Sequence, residues 1–259
     1  TILRNPYFTP HIGIFIKYPP NIKYVNKLSI DKEILQDITE FLEKLNYSII
    51  SLSLNKNIID TQPFIWNKFK VVPGYTYIIS LEGKNEEEIW KEFSSERRND
   101  VKKAIKDGIY AERNFNMNVI ENLVKSTFMR QNKKVNNYYL KKILYEFTNQ
   151  ENSFSFVALK DGIPLSAALC VYDKNTAYYL LGGYDYENKH HGAGALVIWE
   201  SIKYAKSIGL KEFDFEGSMV PQIERYFRGF GGRLTPYFRV NKAKLPLEIL
   251  LKFVKRELF

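Results

Sequence analysis

The stretch FDFEGSMVPQIERYFRGFGG, residues 213–232, holds Asp214 and Glu216 two positions apart, then Arg225 and Arg228 among glycines. On a strand, residues two apart share a face, so both carboxylates would lie opposite Phe213 and Phe215. An alkyl amine with a pKa of about 10.4 is mostly protonated at neutral pH, and a carboxylate beside it would accept the proton that blocks its attack. Each carboxylate also has a structural use, in pairing with an arginine or capping the next turn. Asp214 fits the structural use, and Glu216, beside the glycine break, fits either. Pro221 suits a first helical position and Gly229 a stop, with Ile223, Tyr226, Phe227 and Phe230 inward. Arg225 and Arg228 would then face an anion in a cleft, or Arg228 would pair with Glu224 four residues away.

Two other stretches carry chemistry. In KHHGAG, residues 189–194, Gly192 and Gly194 permit close backbone approach just before a helix, whose free N–H groups attract phosphate. A tight strand-to-helix turn is the other use of the same glycines. His190 and His191 have no third ligand at a metal-binding spacing, so no metal is expected; they read as a solvated loop pair within reach of a phosphate. In WKEFSSERRNDVKKAIKDG, residues 90–108, Arg97 falls on the stripe of Trp90, Phe93, Val101 and Ala104. An inward arginine needs an anion or carbonyl partner, whereas the lysines around it read as a solvated basic face.

These residues need a scaffold, and 259 residues with 45% hydrophobic and 15% aromatic content can build a sizeable core. The net charge of +9 points to an anionic partner. A single cysteine, Cys170, rules out an intramolecular disulfide and fits a reducing, cytoplasmic setting, where it reads as a small buried hydrophobe. No apolar run reaches the about 20 residues of a membrane span, and nothing marks an obligate protein partner.

Periodicity supplies the elements. HIGIFIKY (11–18) and the runs YSIISLSL and YTYIISL alternate as strands. SIDKEILQDITEFLEKL reads as a helix capped by Ser29 or Asp31, with Ile34, Ile38, Phe41 and Leu45 inward. A long helix spans 85–107 with Gly108 as its stop, followed by the short strand IYAERN and helices near 117–131 and 137–149. Residues 153–185 form a three-stranded meander with DG and DKN turns. A helix follows with Ala195, Ile198, Ile202 and Ala205 on one face, ended by Gly209, and KEFDFEG closes the unit. Three strands, a helix and a strand make an acetyltransferase-like order, which the first half repeats loosely. We therefore expect an α/β fold of two such acetyltransferase-like halves with mixed, mostly antiparallel sheets flanked by helices. The halves would be residues 1–113 (partial, since the chain enters at once on a strand-like run) and 114–259, with no flexible hinge between them.

Together, FDFEGS…IERYFRGFGG, FSSERRNDVKKAIKDG and YYLLGGYD…GAGALVIWESIKYAKSIG resemble the FemAB-like group of the GNAT superfamily over about residues 85–240. The resemblance implies acyl transfer to an amine-bearing acceptor. The donor would be acyl-CoA or, as in bacterial enzymes that build peptidoglycan bridges, aminoacyl-tRNA. Arg228 stands where the family usually carries a lysine. KHHGAG keeps both glycines of the family's pyrophosphate loop, with Lys189 at its first position, so Lys189, His191, Gly192, Ala193 and Gly194 would hold the donor. Glu216 would accept the acceptor's proton and Tyr226 or Tyr184 would protonate the leaving group. Backbone N–H groups near the third meander strand would hold the oxyanion, while Arg97, Arg225 and Arg228 neutralise phosphates. A catalytically idle module that binds RNA or another anion is the alternative from a different class.

Overall fold

The computed structural model describes residues 1–217 and 219–258. In chain order the first elements are β1 (Ile2–Arg4), α1 (Tyr24–Lys44), β2 (Ile49–Ser53), α2 (Gln62–Trp66) and β3 (Lys70–Ser80). Next come α3 (Glu86–Glu92), α4 (Ser95–Lys106), β4 (Tyr110–Arg113), α5 (Met117–Arg130) and α6 (Asn137–Lys141), which runs into a π-helical turn, Lys142–Phe147. The meander is β5 (Ser153–Lys160), β6 (Ile163–Tyr172) and β7 (Thr176–Tyr184). The chain ends with α7 (Ala193–Ser207), β8 (Glu212–Asp214), α8 (Pro221–Arg228), β9 (Arg233–Ala243) and α9 (Leu245–Val254). The chain forms two units, one of Thr1–Tyr75 with Thr235–Phe259 and one of Thr76–Leu234.

In the first unit β2 pairs in parallel with β1 and antiparallel with β9. Its core gathers Leu35, Ile50, Leu54, Phe64 and Val240. Because β1 and β9 occupy both edges of β2, residues 11–18 find only a single bridge, Ile12 to Leu54, and do not form the expected strand. Helix α1 begins at Tyr24, before either expected cap, and buries Leu35, Thr39 and Leu42. That line is turned from the expected stripe, leaving Phe41 62% exposed. Both lines fit a helical period, and packing against the sheet selects one.

In the second unit the sheet order is β3-β8-β7-β6-β5-β4. All neighbours are antiparallel except β7 with β8. This is the mixed, mostly antiparallel α/β architecture expected. The hairpin between β5 and β6 turns on Asp161 and Gly162, both at positive φ (50° and 77°), which matches the twist of the strands. Helix α7 buries Ala195, Ile198, Ile202 and Ala205 as read, and Gly209 follows it at φ 84°. The stretch 85–107 is two helices. Ser94 starts a new one by accepting the Arg97 N–H on its hydroxyl, and buried Phe93 at the break packs on Trp90, Trp199 and Phe230.

The units divide at 75/76 and 234/235, not at 113/114. Val101, Ala104 and Ile109 share one core with Phe154, Leu196 and Ile198, so α4 and β4 belong with the meander. Strand β8 pairs with β7 only from Thr176↔Glu212 to Tyr178↔Asp214, and β7 continues to Tyr184. Past Tyr178, β7 therefore runs on without β8 paired beside it.

Candidate active site

The cleft measures about 820 Å³ and lies wholly within the second unit. Its interior is apolar, with Tyr179, Gly182 and Gly183 from β7, Ile198 from α7, and Ile223 and Phe227 from α8. Its rim is basic, with Arg130 from α5 and, from the loop before α7, Lys189 and His191. The Arg130 guanidinium lies 4.1 Å from the centre of the Tyr186 ring, which holds it at the mouth. An apolar slot with exposed Arg130 and Lys189 in its lining suits a ligand with a lipophilic arm and a phosphate-bearing head.

The loop entering α7 is clamped to α4. His190 places Nε2 3.0 Å from Asp107 Oδ2, and His191 places Nε2 2.6 Å from Asp100 Oδ1. His190 Nδ1 accepts the Gly192 N–H, and its carbonyl accepts both the Ala193 N–H and the Tyr184 hydroxyl. Of the expected solvated pair, His190 is instead a partly buried anchor, while His191 stays exposed as it pairs with Asp100. Hydrogen bonds from His190 and Lys103 lower the Asp107 pKa to about 2. Asp100 is buried, and loss of solvent raises its carboxyl above the usual range against the pull of Arg97 and His191.

Of the residues singled out in the sequence, Tyr184, Tyr226, Lys189, His191 and Gly194 line this cleft together. The rest stand elsewhere. A Cβ on Gly192 would meet the Asp100 carbonyl oxygen at 2.0 Å, so that glycine serves the approach of α7 to α4, and Ala193 is buried in the core. Arg97 is 5% exposed and turns inward as read, but it binds Asp100 (2.8 Å) and Glu96 (2.7 Å). Its guanidinium lies 4.5 Å from the centre of the Tyr226 ring, behind the cleft wall. Arg228 is exposed and pairs with Glu224 at 3.0 Å, and Arg225 faces outward.

Asp214 acts structurally, since its Oδ1 accepts from the Thr76 hydroxyl at 2.5 Å and from the Glu216 N–H at 2.8 Å. Glu216 lies two residues past the end of β8, at φ 61°, where the strand face expected for it no longer applies. A non-glycine residue there costs on the order of 1 kcal/mol or more, and such strain collects at working sites. Burial raises the Tyr226 phenol well above its ordinary range, which keeps it protonated and able to donate. The Tyr184 N–H is taken by the Thr127 hydroxyl, so it is not among the oxyanion donors.

Thr127, Arg130, Ser166, Tyr179, Tyr186 and Gln222 also line the cleft and escaped the sequence reading. Arg130 carried one weak signal, a basic residue at the end of a helix. The others sit on ordinary apolar or polar patterns.

Residues 123–228 match the family model of the acetyltransferase (GNAT) domain, and they hold every residue lining the cleft. This segment belongs to the GNAT family. Over 90% of the chain the fold is similar to that of FemX (TM-score 0.66, 16% identity, covering 80% of FemX). The C-terminal domain assigned to a lysylphosphatidylglycerol synthetase from Agrobacterium fabrum is similar (TM-score 0.60, 11% identity, 85% and 76% covered). So is L-PGS from Bacillus licheniformis (TM-score 0.57, 11% identity, 88% and 78% covered). The FemAB-like resemblance thus holds at the level of fold. Compared with the curated proteins, the chain matches none.

Proposed function

We propose that the chain is an N-acyltransferase that passes an acyl group from acyl-CoA to an amine. The observation that carries this is the cleft along β7, apolar within and with exposed Arg130, Lys189 and His191 in its lining, inside a segment that matches the GNAT domain. The donor's phosphates would sit on that basic rim, and its acyl arm would run along β7 toward Tyr178. Arg97 keeps a supporting role, holding Tyr226 through its ring face, while Arg225 and Arg228 fit the outer approach of an anionic acceptor.

Glu216, two residues past the last β7–β8 pair and outside the lining of the cleft, would take the amine proton of an acceptor that reaches it. The nitrogen then attacks the thioester carbonyl, and the tetrahedral intermediate collapses to amide and thiolate. The Tyr226 hydroxyl donates to the departing sulfur. Tyr184 is less suited, because its hydroxyl already donates to the His190 carbonyl at 2.8 Å.

A second donor, aminoacyl-tRNA, has one observation in its favour. His190 already uses the Gly192 and Ala193 N–H groups, so the start of α7 offers fewer free donors to a pyrophosphate. The FemX-like fold suits the same reading. Intact-mass analysis of small amine and amino-sugar acceptors, incubated with acetyl-CoA or with charged tRNA, separates the two. An increment of the acyl group with acetyl-CoA supports the first reading, and an aminoacyl increment supports the second. Modification by neither, with tight RNA binding, would leave a binding module.

A further inference from the structure

The last helix, α9, is apolar on its outward side as well as its inward side. Leu245, Ile249, Leu250, Phe253 and Val254 are between 52% and 84% exposed. At about 100° per residue they fall on one outward face. The side turned toward the protein carries Leu247, Glu248 and Leu251, none of them fully buried. A helix in water turns its apolar stripe inward, so the outward stripe requires something apolar to cover it.

Charge says what that cover is. Exposed Lys244 precedes the helix, Lys252 lies on its flank, and Lys255 and Arg256 follow it, against Glu248 and Glu257. Glu248 is paired with Lys252 at 2.9 Å. Long basic side chains around an apolar stripe can reach past it to an anionic plane. A helix of ten residues is about 15 Å long, and five side chains on it offer less surface than the about 800 Å² per partner of a stable protein interface. No helix among the described residues is long and apolar enough to cross a bilayer.

We propose that α9 lies on the surface of an anionic lipid bilayer, with Ile249 and Phe253 in the headgroup–acyl boundary and its lysines and arginine at the phosphate level. This goes beyond the acyl-transfer reading and does not depend on it. The full chain is floated with vesicles of phosphatidylcholine containing about one-third phosphatidylglycerol, and with phosphatidylcholine alone. Wild type should float with the anionic vesicles, and binding should weaken at high salt. The double variant Ile249→Glu/Phe253→Glu should lose binding at least about ten-fold. It should keep its circular dichroism, since both side chains are exposed. Ile105→Glu/Ile163→Glu changes the charge equally at two exposed apolar positions of the other unit and should bind as wild type. The proposal fails if wild type does not float. It fails equally if both double variants lose binding alike, which would mean net charge alone. It also fails if sedimentation shows a dimer that only the α9 variant disrupts.

Discussion

At the scale of single residues, basic side chains on one helix have separate fates. Arg97 and Lys103 belong to one basic helix, yet Arg97 is buried against Asp100 while Lys103 is an exposed partner of Asp107. Arg97→Ala leaves the buried Asp100 with only the exposed His191 beside it and should cost about 3 kcal/mol in chemical denaturation, whereas Lys103→Ala should cost roughly 0–1. Equal small losses would mean that solvent reaches Asp100. The inward turn of Arg97 was legible because a charge interrupted an apolar period. Its partner was not, because Asp100 lies only one helical turn along in a run crowded with charges. Glu216 carries the chemical prediction. Glu216→Gln keeps size and most hydrogen bonding, so the fold should survive while turnover falls about 10²–10⁴-fold at neutral pH and partly recovers as pH rises. Unchanged turnover at neutral pH would assign the proton to another acceptor.

The elements show where pattern suffices and where packing decides. The meander, α7 and its Gly209 stop were legible because their alternation, turn residues and helical stripe all agree. The break at Ser94 was not, because apolar spacing runs on through Phe93 and only a hydroxyl cap marks the new start. The clamp between α4 and the loop before α7 was invisible for another reason: His190 and Asp107 lie 83 positions apart. That clamp should be pH-dependent in a definite direction. The Asp107 pKa falls from 3.8 to about 2 on folding, so its contribution is complete above 3.8 and disappears as pH falls through about 2. Asp107→Asn should therefore lower the Tm at neutral pH, and the deficit should close between those two values. A deficit that persists below pH 2 in thermal melts would show that the carboxylate charge is not what holds the loop.

At the scale of the whole molecule, the expected boundary at 113/114 followed element order, which repeats loosely in both parts of the chain. Order in sequence does not say which side chains share a core. Residues on both sides of that boundary, Ile89, Phe93, Val101 and Ala104 before it and Phe154, Leu196 and Phe230 after it, pack in one cluster. The first unit is instead discontinuous, because β9 returns from the far end of the chain to pair with β2. A fragment of residues 76–234 contains the whole of the second cluster and the whole cleft. It should melt in one cooperative transition by circular dichroism and near-UV signal, though its cuts fall within β3 and β9. A fragment of residues 114–259 lacks α3, α4 and β4 and would leave Leu196, Ile198 and Phe230 facing water. It should give a broad, non-cooperative melt and bind hydrophobic dyes. Cooperative folding of 114–259 alone, with 76–234 molten, would restore the division read from element order.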